Sequence, residues 1–169
     1  RGIAAYVSET RYETGSPVSF LIVSDIRQAM ALIADMFYDK AYEKLTLIGI
    51  TGTKGKSTTA FYIRYILDEY LQEQGEKPSA IVSSIDIFDG RIMKPAHLTT
   101  PEAFELHRHF DNAVQSGIRF FEMEVSSQAL KYQRVLGVRF DTGVFLNISE
   151  DHISPNEHSD FEDYFSSKL

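Results

Sequence analysis

Gly55, Lys56 and Ser57 stand where an apolar run of β-formers, Leu45 to Ile50, gives way to a glycine-bearing turn. A strand ending near Gly52 and a helix opening at Gly55-Lys56-Ser57 would gather backbone N–H groups, an ammonium and a hydroxyl around one point. Nucleotide phosphates require that combination. The general pattern G-x-x-x-x-G-K-[ST] is broken at its first position, where Ile50 stands, and Gly52 lies three residues before Gly55. Gly52, Thr53, Lys54, Gly55, Lys56, Ser57 and Thr58 are therefore the residues expected to bind ATP. The competing reading is an ordinary strand-to-helix turn with a solvent-exposed lysine.

Open parallel sheets bind ligands beyond the carboxyl ends of their strands. Besides the glycine loop, Glu124 to Ser127 and Asn147 to His152 fall at such ends. A carboxylate closing an apolar strand is costly unless it meets water or a cation, so Glu124 is either a solvated sheet-edge charge or a Mg²⁺ ligand. Beside a phosphate loop the second is favoured. His152 is a structural histidine or a metal ligand, and Asp151 caps a turn or orients the His152 ring. Lys168, one helical turn after Tyr164, reads from spacing alone as a surface lysine, with Phe161 and Phe165 as the apolar pair. Thr99 and Thr100 read as helix-capping residues, and Arg134 as a surface charge or an anion receptor. His97, His107, His109 and His158 have no metal-ligand spacing.

The elements that must position these groups follow from periodicity. Ile3–Val7 and Phe20–Val23 read as short buried strands. A helix starts near Ser24 or Asp25 with an apolar face of Ile26, Met30, Ile33 and Phe37, and Asp39 to Lys44 reads as a polar linker. From Leu45 onward strands alternate with helices. The expected fold is α/β: a P-loop-containing, mostly parallel sheet with helices on both faces, preceded by the end of a smaller α/β N-terminal domain. The helix after the glycine loop carries Phe61, Ile63, Ile66, Leu67, Tyr70 and Leu71. Ile85 to Met93 reads as a hairpin with Asp89-Gly90 at φ-positive turn positions. Thr100 is the expected N-cap of a helix carrying Phe104, His107, Phe110 and Val114. Arg119 to Val125 and Phe140 to Leu146 are further strands, and Ser159-Asp160-Phe161-Glu162 has capping-box spacing.

The 169 residues suffice for one good core, or for one domain and part of another. A hydrophobic content of 43% with 24% charged residues is that of an ordinary globular chain. No apolar run approaches the roughly 20 residues of a membrane span, so no membrane insertion is expected. With no cysteine, disulfides and thiolate metal sites drop out, which fits a cytoplasmic setting. The net charge of −7 without a Lys/Arg stripe argues against a nucleic-acid partner but leaves room for a local phosphate site. Neither Arg1 nor Leu169 borders an obvious finishing element, so a fragment of a longer protein is expected.

Together these clusters resemble the central ATP-binding domain of the Mur ligases, which build the peptide stem of bacterial peptidoglycan. The resemblance is carried by Gly49 to Thr59, Leu98-Thr99-Thr100-Pro101, Glu124-Val125-Ser126-Ser127, Arg134-Val135, Gly137 to Asp141, Asn147 to His152 and Asp163 to Lys168. It implies that residues 1–42 end an N-terminal UDP-substrate domain, that 43–169 belong to the ATPase domain, and that a C-terminal amino-acid-binding domain is absent. The branch it points to adds the third amino acid, L-lysine or meso-diaminopimelate, to UDP-MurNAc-L-Ala-D-Glu. ATP phosphorylates the substrate carboxylate, the amine attacks the acyl phosphate, and phosphate leaves.

In that scheme Lys56, Glu124, His152 and Lys168 are catalytic. Ser57 and Glu124 hold one Mg²⁺, while His152 and Lys168, converted to a carbamate, serve a second. Thr99, Thr100, Ser126 and Arg134 match positions that contact the UDP-muramoyl peptide. Lys54 and Ser57 depart from the asparagine and threonine frequent in the family. The implied partners are the UDP-muramoyl dipeptide and a diamino acid, with a monomer expected and lysine favoured. A folylpolyglutamate synthetase-like ligase is the sister alternative, which Ser126 disfavours because that branch usually has glycine after Glu-Val. A non-catalytic nucleotide-binding module is the alternative from another class.

Overall fold

The first two apolar runs pair with each other. β1 (Ala5–Ser8) and β2 (Ser19–Ile22) form a parallel two-stranded sheet with Tyr6 opposite Phe20. This is the start of a computed structural model that describes residues 3–15, 17–149 and 158–168. Expected to be buried, β2 instead leaves Phe20, Leu21 and Ile22 exposed. A two-stranded ribbon offers no second layer to cover it.

Helix α1 (Ile26–Phe37) starts where expected, with Asp25 Oδ1 accepting from the N–H groups of Arg27 and Gln28. Its buried face is not the Ile26/Met30/Ile33/Phe37 stripe. Ala31, Ala34 and Asp35 face inward, while Phe37 is 72% exposed. Ala31 and Ala34 meet Ala103 with Leu136 packed alongside, and small side chains let the helix approach closely. The segment read as a polar linker folds as a 3-10 turn over Ala41–Lys44. Ala41 and Tyr42 join the main core, and Tyr42 Oη donates to the Gly137 carbonyl at 3.0 Å.

Beyond it the alternation holds. β3 (Thr46–Thr51) leads through the glycine loop into α2 (Lys56–Glu73), followed by β4 (Ala80–Val82), β5 (Asp86–Phe88) and β6 (Met93–Pro95). Then come α3 (Ala103–Gln115), β7 (Phe120–Glu124), α4 (Ser127–Lys131), β8 (Thr142–Phe145) and α5 (Phe161–Ser166). The six-stranded sheet has the order β6-β5-β4-β7-β3-β8. β4, β7, β3 and β8 run parallel, and β5 and β6 join antiparallel at the edge.

Each face has its own core, because successive strand residues point to opposite sides. Leu47, Phe121 and Met123 pack with Leu106, Phe110 and Ala113 of α3. Phe110 and Phe121 meet edge to face at 4.9 Å between centroids. Ile50 and Ile81 pack with Ala60 of α2 on the other side. Helices on both faces of a mostly parallel sheet match the expected class. α2 buries less of its apolar set than periodicity suggested: Ile66 and Tyr70 are exposed.

Helix and turn starts shift where a side chain is used elsewhere. α3 takes Glu102, not Thr100, as its N-cap. Asp160, not Ser159, caps α5 by accepting from the Asp163 N–H, and Asp163 Oδ2 reaches past the cap to the Ser159 N–H, a wider reciprocal pair than the capping box its spacing suggested. In the β5–β6 turn only Gly90 has positive φ. Asp89 Oδ1 accepts from the N–H groups of Arg91 and Ile92, while Oδ2 meets His109 Nδ1 at 2.6 Å and Asn112 Nδ2 at 2.8 Å.

Candidate active site

The loop Gly52–Gly55 turns between β3 and α2 on glycine backbone. Gly52 has φ 148° and Gly55, at the N-cap of α2, has φ 84°. A Cβ at Gly52 would lie 3.1 Å from Leu146 Cβ and 3.2 Å from the Asn147 carbonyl oxygen, so glycine also permits close approach of the segment after β8. That segment clamps the loop. Asn147 accepts from Thr53 N–H through its carbonyl and from Lys54 N–H through Oδ1, and its Nδ2 donates to the Lys54 carbonyl. Lys54 is thus fixed by its backbone, with an exposed side chain. Thr58 lies in the first turn of α2.

Lys56 Nζ donates to the carbonyls of Gly52 at 2.8 Å and Thr53 at 3.1 Å. Lys168, from the end of α5, donates to the same Gly52 carbonyl at 3.2 Å and to Thr51 Oγ1 at 3.1 Å. The reading of Lys168 as a surface lysine is thereby overturned: it is 9% exposed and sits over the Tyr164 ring at 5.1 Å. Burial first, and the neighbouring Lys56 cation second, push its pKa down to about 8. Tyr164, fully buried, holds the loop from below through a 2.9 Å hydrogen bond between its hydroxyl and Thr53 Oγ1.

Glu124 is 1% exposed, so it is not a solvated sheet-edge charge. Its Oε1 accepts from the N–H of Ser84 at 2.8 Å and from Ser84 Oγ at 3.2 Å. Ser84 Oγ lies 2.9 Å from Ser57 Oγ. With Glu124 accepting, the chain runs Ser57 to Ser84 to Glu124, which leaves Ser57 lone pairs for a cation. Among the described residues no three His, Cys, Asp or Glu side chains gather into a metal cage. One carboxylate flanked by hydroxyls suits a hard dication that keeps phosphate and water oxygens as its other ligands, and Mg²⁺ fits that donor set.

Thr100, fully buried, does not cap α3. Its Oγ1 donates to the Glu124 carbonyl at 2.8 Å and accepts from the Ser126 N–H at 3.1 Å. Ser126 in turn caps α4 through Ala129 N–H. Arg134 is not a surface charge either. It is 8% exposed, donates to the Thr100 carbonyl at 3.1 Å and pairs with Glu102 at 2.6 Å. Gln133 before it has φ 58°, and its Nε2 donates to Asp25 Oδ2, while Arg27 lies 3.9 Å over the Tyr132 ring. The first helix therefore grips the turn that aims Arg134.

Lys56, Thr99, Ser126, Arg134 and Lys168 line one cavity of about 220 Å³, with His97 and Gln128 also on its wall. Glu124 and Ser57 are joined to each other through Ser84, and Thr100 bridges Glu124 to Ser126. His152 and Asp151 lie outside the described residues. Sequence reasoning missed Ser84, Thr51 and Tyr164 as site residues, and placed Asn147 in a strand-end cluster without giving it a role. Ser84 follows β4, a parallel strand whose carboxyl end is the signal that could have found it.

The description Mur ligase middle domain matches residues 50–169. A UDP-N-acetylmuramoyl-L-alanyl-D-glutamate–L-lysine ligase of Enterococcus faecalis is 47% identical over 99% of this chain and 32% of its own length. A Streptococcus pneumoniae protein with the same name is 48% identical, covering 99% and 34%. A UDP-N-acetylmuramyl-tripeptide synthetase of Bifidobacterium longum is 45% identical, covering 99% and 32%. The chain spans about a third of the length of these relatives. A solved UDP-N-acetylmuramoyl-L-alanyl-D-glutamate–2,6-diaminopimelate ligase superposes with a TM-score of 0.69 at 22% identity, over 96% of this chain and 31% of that one, which bears on the fold alone.

Proposed function

The chain belongs to the Mur ligase family, and from that premise we propose that the protein carrying it is an ATP-dependent ligase. It joins a diamino acid, L-lysine in preference to meso-diaminopimelate, to UDP-MurNAc-L-Ala-D-Glu during peptidoglycan precursor synthesis. The observation that carries this reading is the convergence of two buried-side lysines, a carboxylate–hydroxyl chain and a buried arginine beyond parallel strand ends.

Backbone N–H groups in the first turn of α2, Lys56 to Thr58, hold the ATP phosphates, those of Thr53 and Lys54 being taken by Asn147, and Lys56 Nζ stabilises charge developing on the transferred γ-phosphoryl group. Ser57 and Glu124 hold a Mg²⁺ ion, which neutralises phosphate charge when bound, and Ser84 fixes the carboxylate. His152 and Lys168, as its carbamate, serve a second ion. Thr99, Thr100, Ser126 and Arg134 bind and orient the acidic peptide. A substrate carboxylate oxygen bonds to the γ-phosphorus of ATP as the P–O bond to ADP breaks, giving an acyl phosphate and ADP. The neutral amine nitrogen then bonds to its carbonyl carbon and gives up a proton to solvent, the C–O bond to phosphate breaks, and inorganic phosphate leaves.

Residues 1–42 end the UDP-substrate domain and 43–169 lie in the ATPase domain of a cytoplasmic monomer. No described helix is long and apolar enough to cross a membrane. The names of the curated relatives support lysine as the amine. Phosphate release by the full-length protein with ATP, Mg²⁺ and UDP-muramoyl dipeptide tests the proposal, with lysine, diaminopimelate or no amine in parallel. Release that depends on one amine is the expected result. No release with nucleotide still bound would favour a folate-type ligase or a non-catalytic module.

A further inference from the structure

Glu102 occupies the N-cap of α3 with extended backbone, φ −63° and ψ 153°, yet its side chain makes no capping hydrogen bond. Its Oε1 lies instead 2.6 Å from Arg134 Nη2. The two side chains differ sharply in exposure, 55% for Glu102 and 10% for Arg134. Arg134 Nη1 is committed to the Thr100 carbonyl, while its buried Nε has no hydrogen-bond partner among the described residues. Arg134 therefore stands between two spaces: it lines the cavity with Lys56 and Lys168, while Glu102 meets it from a small adjoining pocket walled by Arg27, Met30 and Tyr132, where the carboxylate is solvent-exposed.

That carboxylate has a second seat within its own residue's reach. α3 runs 13 residues, and its first-turn N–H groups and dipole favour a negative charge at the N-cap. Aspartate and asparagine are the better N-caps, because their shorter side chains fold back on N2 and N3. Glutamate caps less well and reaches one methylene further, toward Arg134. Resting on the reading of this cavity as the muramoyl-peptide site, we infer that Glu102 is a displaceable internal counter-ion for Arg134. From the adjoining pocket it neutralises the cation that a substrate carboxylate meets in the cavity, retreats to the α3 N-terminus when that carboxylate arrives, and so sets the affinity for the acidic peptide.

Binding of UDP-MurNAc-L-Ala-D-Glu to the full-length protein, measured by titration calorimetry for wild type, Glu102→Gln and Glu102→Asp, tests this. A non-hydrolysable ATP analogue serves as the control ligand. Glu102→Gln removes the competing charge. Glu102→Asp keeps the charge but caps α3 and falls short of Arg134. Both variants are expected to bind the dipeptide about five-fold more tightly, the size of one partly exposed ion pair, with unchanged analogue affinity. Unchanged or weaker dipeptide binding in either variant overturns the inference: Glu102 is then a fixed strut for Arg134, or a general source of repulsion. Wild-type protein that binds the analogue but no dipeptide overturns the functional reading and this inference with it.

Discussion

Ser84 holds Glu124 twice through one oxygen, by its N–H at 2.8 Å and its hydroxyl at 3.2 Å, and passes the contact on to Ser57. A ligand carboxylate fixed in this way pays less to order itself around a cation. Ser84→Ala keeps the backbone contact and removes the link to Ser57. The Mg²⁺ concentration for half-maximal phosphate release should rise about ten-fold, as when partners behind metal ligands are lost. An unchanged Mg²⁺ titration would leave Ser84 a structural role only.

Lys56→Ala removes the ammonium that now sits on the Gly52 and Thr53 carbonyls. The Gly52 carbonyl keeps Lys168 as a donor, and the loop keeps its Asn147 and Tyr164 contacts, so the fold should survive. Ligation should fall by about three orders of magnitude or more, in line with loss of a charge that stabilises a transferring phosphoryl group. Near-normal turnover in a folded variant would sink the assignment of this loop.

Lys168 has a depressed pKa of about 8 because burial and Lys56 both disfavour its charge. An amine that is partly neutral near pH 8 can attack dissolved CO₂ and release a proton to give a carbamate, whereas an ordinary lysine ammonium has no free lone pair to do so. Lys168→Ala should cripple turnover and regain part of it when acetate or formate is supplied. Full activity without any additive would remove Lys168 from the chemistry.

Glu122 gives a pH prediction of definite sign. It is fully buried, and burial raises its pKa to about 8, against a lowering by the Ser79 hydrogen bond. Ser79 Oγ lies 2.9 Å from both Glu122 Oε1 and Asp68 Oδ1, and one hydroxyl hydrogen cannot serve two carboxylates. A protonated Glu122 donating to Ser79, which donates to Asp68, resolves the count. Since the folded state binds the proton more tightly than the unfolded state, this contribution to stability is complete below the ordinary carboxyl pKa. It is lost as pH rises toward about 8. Glu122→Gln should flatten the fall in melting temperature between pH 5 and pH 9 and exceed wild type at the alkaline end. Parallel profiles for the two proteins would show that Glu122 titrates normally.

Much of this architecture is readable before any coordinates, because the strands are short apolar runs and the glycine loop interrupts them at a fixed place. What could not be read depended on contacts distant in sequence. Thr100 has the residue type of a helix cap, but its hydroxyl is taken by the Glu124 carbonyl and the Ser126 N–H. The stripe of large residues on α1 looked like its buried face, yet close packing on Ala103 favoured Ala31 and Ala34. Lys168 looks like any surface lysine until α5 folds over the loop, and Ser84 is silent until β4 takes its place beside β7. The site itself came through family resemblance more than through spacing, and the placement of His152 remains beyond the described residues.

The grip of the first helix on Tyr132 and Gln133 has a consequence for anyone recombining related proteins. Asp25 caps its own helix with one carboxylate oxygen and takes the Gln133 amide with the other. A graft that replaces the first forty residues with those of a relative, while keeping the rest, severs that shared carboxylate. Chimeras should work only when residues 25–27 and 132–133 travel together. Across natural relatives, these two short stretches should change in step.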